Sequence, residues 1–134
     1  MSKQSFAELG VSSAVAHALA ESGARSPFAV QQAVLPDALD GHDVLVKAPT
    51  GSGKTLAFGV ALVERIEATD RRAAALVLVP TRELATQVAE AIAPVARARA
   101  LSLATVYGGV GIEKQSKLAR RAHIIVATPG RLRT

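Results

Sequence analysis

Short apolar runs alternate along the chain with longer segments in which apolar residues recur at helical spacing. The apolar runs are nearly continuous, which is typical of strands buried on both faces of a parallel sheet. The pattern predicts four strands, at residues 44–46, 74–79, 101–107 and 124–127. It predicts five helices, at residues 11–21, 30–39, 54–68, 82–99 and 112–121, with Pro94 ending or kinking the fourth. Because a helix separates each strand from the next, we predict an α/β domain whose parallel sheet has helices on both faces.

Composition limits the size and class of this domain. The chain has 134 residues, of which 49% are apolar, so one domain with a lean core is expected. Cysteine is absent, which excludes disulfides and thiolate metal sites. His17, His42 and His123 are too far apart to suggest a metal site and are predicted to be surface or partly packed residues. No apolar run approaches the ~18 residues of a membrane span, and the start lacks a signal peptide, so a cytoplasmic protein with no membrane partner is expected.

The net charge of +5 is concentrated near the end of the sequence. Basic and acidic side chains balance over residues 1–112, whereas residues 113–134 contain Glu113 as their one acid. The basic residues of that segment are Lys114, Lys117, Arg120, Arg121, Arg131 and Arg133. A local basic excess suggests a polyanionic partner, and on charge alone a solvated helix face explains it equally well.

The strongest chemical signal follows the first predicted strand. It is the segment APTGSGKT, made of Ala48, Pro49, Thr50, Gly51, Ser52, Gly53, Lys54 and Thr55. Its glycines let the backbone wrap closely around an anion, and the helix that opens at Lys54 presents unpaired N–H groups to it. Lys54 would reach the β- and γ-phosphates, and the Thr55 hydroxyl would hold Mg²⁺. The segment therefore predicts a nucleotide-binding phosphate loop.

The other strands also lead into polar segments, at the edge of the sheet where parallel α/β proteins bind ligands. These segments contain Pro80, Thr81 and Arg82, then Gly108 and Gly109, then Thr128, Pro129, Gly130 and Arg131. Thr81 and Thr128 are predicted helix N-caps, with Pro129 at the first helical position. Taken alone, each of these segments is more often the capped start of a helix with a solvated arginine than a binding site. Beside a phosphate loop they suggest a second polyanion, bound through its backbone because the chain has only four aromatic residues.

Together these segments resemble motifs I, Ia, GG and Ib of the DEAD-box RNA helicases, in the same order and at similar spacing. Upstream, Phe6 and residues 23–31, which end in Gln31, resemble the Q motif of that family. The resemblance implies a RecA-like P-loop domain that binds ATP, Mg²⁺ and RNA. It implies that Phe6 and Gln31 belong to the adenine site, and that RNA contacts the segments around Arg82, Gly109, Thr128 and Arg131. Residues 1–40 would form the Q-motif helical region, and residues 41–134 a RecA-like domain incomplete at its C-terminal end.

The sequence departs from the family pattern in four ways. Pro27 is followed by Phe28 where the family usually has threonine, and Ala24 replaces the usual aromatic, which predicts weaker stacking on adenine. The Asp-Glu-Ala-Asp motif is absent, because none of the four aspartates is followed by glutamate. A second RecA-like domain is absent as well.

The resemblance implies that the parent protein is an ATP-dependent RNA helicase. Without the acidic motif, we expect this chain to bind nucleotide and RNA backbone weakly, to hydrolyse ATP negligibly and to self-associate through an open sheet edge. Two alternatives remain at this point. One is a non-catalytic RNA-binding module. The other is a different P-loop NTPase, which would leave Gln31 and residues 80–85 and 128–131 unexplained. DNA in place of RNA also stays open.

Overall fold

The computed structural model describes residues 5–46, 53–106 and 120–129. In chain order, these residues form α1 (Ser13–Glu21), α2 (Ala29–Leu39), α3 (Lys54–Arg65), β1 (Ala75–Leu78), α4 (Arg82–Ala98), β2 (Leu103–Val106) and β3 (Ile124–Ala127). The predicted helix at residues 112–121 lies outside the described residues apart from its last two, which are helical. No helix within the described ranges is long and apolar enough to cross a membrane.

The three strands form one parallel sheet in the order β1-β3-β2. Ile124 of β3 lies opposite Ala75 of β1 on one side and Leu103 of β2 on the other. Both neighbours of β3 run in its direction, which confirms the prediction of a parallel sheet. All three strands therefore direct their carboxyl ends to the same edge of the sheet.

A single apolar core joins the sheet to the helices. The helix α4 packs against β2 and β3, and its buried side chains, such as Ile92 and Val95, share the core with Ile124 and Val126. The helices α1 and α3 pack against α4, and α2 packs against α3. Phe6 belongs to the same core and is 3% exposed. The N-terminal helical region and the sheet are thus held by shared apolar burial.

The strand predicted at residues 44–46 is wrong. These residues have no strand structure, and Leu45 is fully exposed. The side of β1 that faces away from β3 borders a groove of about 660 Å³, lined by Val44, Phe58, Leu62 and the β1 side chains. No strand in the described part of the chain pairs with residues 44–46. An apolar run forms a strand only where a neighbouring strand offers backbone hydrogen-bonding groups, and none of the described strands does so here.

One helix end agrees with the prediction and another differs from it. The helix α4 continues past Pro94 to Ala98, close to the predicted end at residue 99, because Val95 and Ala96 are buried and their packing offsets the hydrogen bond that proline cannot make. Conversely, α3 ends at Arg65 and not near residue 68. The next residue, Ile66, adopts an extended backbone conformation (φ −106°, ψ 131°) and is 5% exposed, so its side chain enters the core.

His123 lies at the amino-terminal end of the sheet and is 3% exposed, more buried than the sequence predicted. Its Nδ1 accepts a hydrogen bond from the Ser102 backbone N–H at 3.0 Å, and its Nε2 donates to the Ala68 carbonyl at 2.9 Å. An N–H can only donate and a carbonyl can only accept, so these partners fix the neutral ring with its proton on Nε2. The imidazole thereby joins the start of β2 to the loop that precedes β1.

Candidate functional site

The start of α3 follows a glycine in the left-handed backbone region. Gly53 has φ +87° and ψ 14°, and its carbonyl accepts the first intrahelical hydrogen bond, from the Ala57 N–H at 3.1 Å. The N–H groups of the first helical turn have no acceptor within the helix and are therefore available to a ligand at this helix start. Lys54 is half-buried and Thr55 is exposed at this helix start. The structure brings these three predicted residues together.

The remainder of the predicted phosphate loop lies outside the described residues. It comprises Ala48, Pro49, Thr50, Gly51 and Ser52. The predicted assignment of these residues to a nucleotide site stays a prediction.

Gln31 connects α2 to this helix start. Its side chain is 3% exposed, its Nε2 donates to the Gly53 carbonyl at 3.0 Å, and its Oε1 accepts from the Phe28 N–H at 2.9 Å. Both ends of the Gln31 amide thus bind the protein. The sequence pattern could not reveal this arrangement, because Gln31 and Gly53 are 22 positions apart. One N–H and one oxygen lone pair are left over from these two contacts, because a carboxamide has two donors and two lone pairs.

A cavity of about 490 Å³ opens beside Gln31. It is lined by Ser22, Gly23, Ala24, Arg25, Ser26, Phe28, Gln31, Gly53 and Leu56. Its volume lies within the range of about 300–1,000 Å³ that is common for small-molecule sites. Phe6 is not among the lining residues, since its ring is buried in the core with Leu9 and Val11. The structure therefore brings Gln31 and Gly53 to one cavity and places Phe6 elsewhere.

The start of α3 also lies at the carboxyl end of β1. Lys54 and Thr55 line a smaller cavity of about 240 Å³ together with Val79, the residue that follows β1. The Val79 N–H donates to the Ala127 carbonyl of β3 at 3.0 Å, and the Thr128 N–H donates to the Val106 carbonyl of β2 at 3.1 Å. These bonds hold the ends of the three strands side by side. The segments that follow the three strands, which contain the predicted site residues, consequently start from the same edge of the sheet.

Thr81 is the N-cap of α4, as predicted. Its Oγ1 accepts the Leu84 N–H at 3.1 Å, and exposed Arg82 is the first helical residue. Pro80 is exposed just before it. On the neighbouring strand, Thr128 is partly buried and Pro129 is exposed and helical. Since adjacent strands lie about 4.8 Å apart, the start of α4 and the segment at Thr128 and Pro129 are close neighbours.

The other predicted residues of these segments, Gly108, Gly109, Gly130 and Arg131, lie outside the described residues. Their predicted place at an RNA interface stays a prediction.

Within the ranges that the structure describes, no three His, Asp or Glu side chains converge as a metal site would require. The exposed Thr55 hydroxyl, one residue into α3, is an oxygen ligand of the kind that Mg²⁺ accepts beside a phosphate. The residues described here thus fit a magnesium ion ligated by both the protein and a nucleotide, and not one ligated by protein side chains alone.

The sequence interpretation treated Phe28 as a departure from a pattern and gave it no role. Its ring is 56% exposed on the rim of the larger cavity, beside Gln31 and Gly53. A usable signal was present in the sequence, since an aromatic residue in a chain with 3% aromatics stands three positions before a predicted site residue.

Comparison with known proteins identifies a matching family model and a similar protein. The family model described as DEAD/DEAH box helicase matches residues 28–134. A Caenorhabditis elegans protein, named as a candidate ATP-dependent RNA helicase, is 46% identical over 131 residues, which is 97% of this chain and 27% of that protein.

Two solved structures have the same fold. The crystal structure of a DEAD box protein from Methanococcus jannaschii matches with a TM-score of 0.90 and 38% identity, over 96% of this chain and 35% of that one. The crystal structure of a hypothetical ATP-dependent RNA helicase from Sulfolobus tokodaii matches with a TM-score of 0.81 and 39% identity. This match covers 89% of this chain and 34% of the Sulfolobus chain. The chain thus spans about a quarter to a third of the length of these relatives.

Proposed function

This chain belongs to the DEAD/DEAH box helicase family, and on that basis we propose that it is the nucleotide- and RNA-binding portion of an ATP-dependent RNA helicase. The observation that carries the proposal is the convergence at one sheet edge. The start of α3 lines one cavity with Val79 at the end of β1, and α4 and Thr128 follow the adjacent strands β1 and β3 at the same edge. Such an edge can hold a nucleotide and a nucleic-acid backbone side by side.

The nucleotide would bind with its phosphates at the start of α3. The helix N–H groups and the Lys54 ammonium would offset the phosphate charge, and the Thr55 hydroxyl would ligate Mg²⁺. When bound, Mg²⁺ further neutralises the β- and γ-phosphates. Gln31 would hold the loop glycine Gly53 in place through its amide while the base occupies the adjoining cavity.

RNA would bind across the start of α4 and the neighbouring segment at Thr128 and Pro129. The first turn of α4 presents backbone N–H groups to a phosphate, and Arg82 adds an exposed cation. Such contacts position a strand without reading its bases, so we expect little sequence preference.

The isolated chain would hydrolyse ATP negligibly. Lys54 and Thr55 bind phosphate, but in P-loop enzymes an additional acidic strand holds the metal ion and helps to orient the attacking water. Steady turnover of ATP by the 134-residue chain, stimulated by RNA, would contradict this expectation.

The nucleotide part of the proposal is tested by the variant Lys54→Ala, with Arg71→Ala as a control. Arg71 is an exposed cation in the loop before β1, at the opposite edge of the sheet. We expect Mg-ATP to raise the melting temperature of the wild type and the control alike. Lys54→Ala should weaken binding by about tenfold or more, because it removes a charge-assisted contact to phosphate. Equal stabilisation of all three proteins would favour an RNA-binding module that does not use the phosphate loop.

The RNA part is tested by Arg82→Ala, with the same Arg71→Ala control. We expect Arg82→Ala to weaken binding of a fluorescent single-stranded RNA and to reduce the slope of log K against log salt by about one. An unchanged slope would exclude Arg82 from the phosphate contacts.

We further propose that the edge of β1, which pairs with no strand other than β3 among the described residues, makes the 134-residue chain self-associate. Leu76 and Leu78 are 51% and 55% exposed along this strand, and strand edges with exposed apolar side chains favour association. In sedimentation experiments, Leu76→Lys should shift the chain toward monomer. The control Leu45→Lys changes a fully exposed leucine outside any strand and should not. A wild type that sediments as a monomer at every concentration would refute this proposal.

A further inference from the structure

Phe28 is the most exposed large aromatic side chain in the described residues, and it is firmly positioned. It is the N-cap residue of α2, and its backbone N–H is held by the Gln31 carboxamide at 2.9 Å. The edge of its ring lies against Gly53, since a Cβ built on that glycine would be 2.6 Å from the Phe28 Cδ2. The ring is nonetheless 56% exposed. A rigid aromatic surface therefore stands one residue away from the helix start that would bind phosphate.

The side of the cavity formed by residues 22–24 consists of small residues. Ser22, Gly23 and Ala24 line it, and a Cβ built on Gly23 would meet no atom within 4 Å. No large side chain from these residues fills the space near the Phe28 ring. The cavity of about 490 Å³ thus offers room for a planar heterocycle against an aromatic surface.

We propose that Phe28 is the base-stacking residue of this nucleotide site, and that its ring carries the purine of the nucleotide whose phosphates bind at Lys54. This inference rests on the proposed function. The sequence pattern predicted weak stacking because Ala24 replaces an aromatic residue. In the structure, the aromatic surface lies at Phe28 instead, beside the same Gln31. A preformed stacking surface loses little freedom on binding, and stacking is stronger for the larger purine rings than for pyrimidines.

The test compares the wild-type chain with Phe28→Leu and Phe28→Tyr, using ATP and inorganic triphosphate as separate ligands. Because Phe28 is exposed, we expect both variants to fold. Phe28→Leu removes the π surface and should weaken ATP binding by about tenfold, whereas Phe28→Tyr should retain it. Triphosphate, which has no base, should bind all three proteins equally. Leu45→Ala serves as a control for loss of an exposed apolar side chain that does not line this cavity.

A spectroscopic signature distinguishes stacking from a merely structural effect. Adenine protons H2 and H8 should shift upfield in NMR spectra when ATP binds the wild type, and much less when it binds Phe28→Leu. If Phe28→Leu binds ATP like the wild type, this inference is wrong although the proposed function stands. If the wild type binds neither ATP nor triphosphate in a way that Lys54→Ala weakens, the proposed function itself fails.

Discussion

Replacing Gly53 by alanine tests whether the contact between α2 and the phosphate loop holds the site together. The new Cβ would lie 2.6 Å from both the Gln31 Nε2 and the Phe28 Cδ2. Such an approach is shorter than any ordinary contact, so at least one of these side chains must move. Gln31 cannot move freely, since it is 3% exposed and hydrogen-bonded at both ends of its amide.

The expected loss of stability has two parts. The left-handed backbone at φ +87° costs alanine about 1–2 kcal/mol, of which the stiffer unfolded chain returns about 0.4–1 kcal/mol. Displacing Gln31 breaks its hydrogen bond to Gly53, worth about 1 kcal/mol, and overpacking adds about 1 kcal/mol or more. We therefore expect the free energy of unfolding to fall by about 2–4 kcal/mol, a large share of the ~5–15 kcal/mol of a typical domain.

Gly23→Ala is a matched control for this experiment. Gly23 has φ +96°, so alanine has the same backbone cost there, but its Cβ would meet no atom within 4 Å. Urea denaturation followed by circular dichroism gives both free energies. We expect Gly23→Ala to lose about 1 kcal/mol or less, and Gly53→Ala to lose about 2 kcal/mol more.

Equal losses for the two glycine variants would refute this reasoning. They would mean that the contact of Gln31 and Phe28 with the loop glycine contributes nothing beyond the backbone conformation. A Gly53→Ala protein that also binds ATP as tightly as the wild type would show that Gln31 does not position the phosphate loop.

Two further variants test contacts at the opposite ends of the sheet, both by urea denaturation. His123→Leu should lower the free energy of unfolding by about 1–2 kcal/mol, because it removes the partly buried hydrogen bonds to the Ser102 N–H and the Ala68 carbonyl. His123→Gln, which keeps a donor, should lose less, and equal losses would contradict the hydrogen-bonding account. Thr81→Ala should cost about 1 kcal/mol through the lost cap on the Leu84 N–H, with Thr81→Ser as the conservative control, and a neutral result would mean that the cap does not stabilise α4.

The parts of the fold that the sequence predicted well are those set by local chemistry. The start of α4 was placed correctly because the hydroxyl of Thr81 caps its own helix within three residues. β3 was placed correctly because its run of four apolar residues, Ile124–Ala127, is buried on both faces. In such cases the determining contacts lie within the segment or depend only on its hydrophobicity.

The parts that were missed depend on partners distant in sequence. Residues 44–46 are as apolar as β3, but no described strand pairs with them. The double role of Gln31 requires a carbonyl 22 residues away, and the burial of His123 requires a carbonyl 55 residues away. Periodicity and local propensity carry no information on such pairings.

The position of β3 has a consequence for how this chain reaches its fold. β3 is the last of the three strands to be synthesised, yet it lies between the other two, and β1 and β2 pair with β3 and not with each other. Until residues 124–127 have left the ribosome, β1 and β2 lack the strand that joins them, and their apolar side chains stay unpaired in the nascent chain. Pairing of these three strands should therefore be cooperative, and until then β1 and β2 are targets for chaperones.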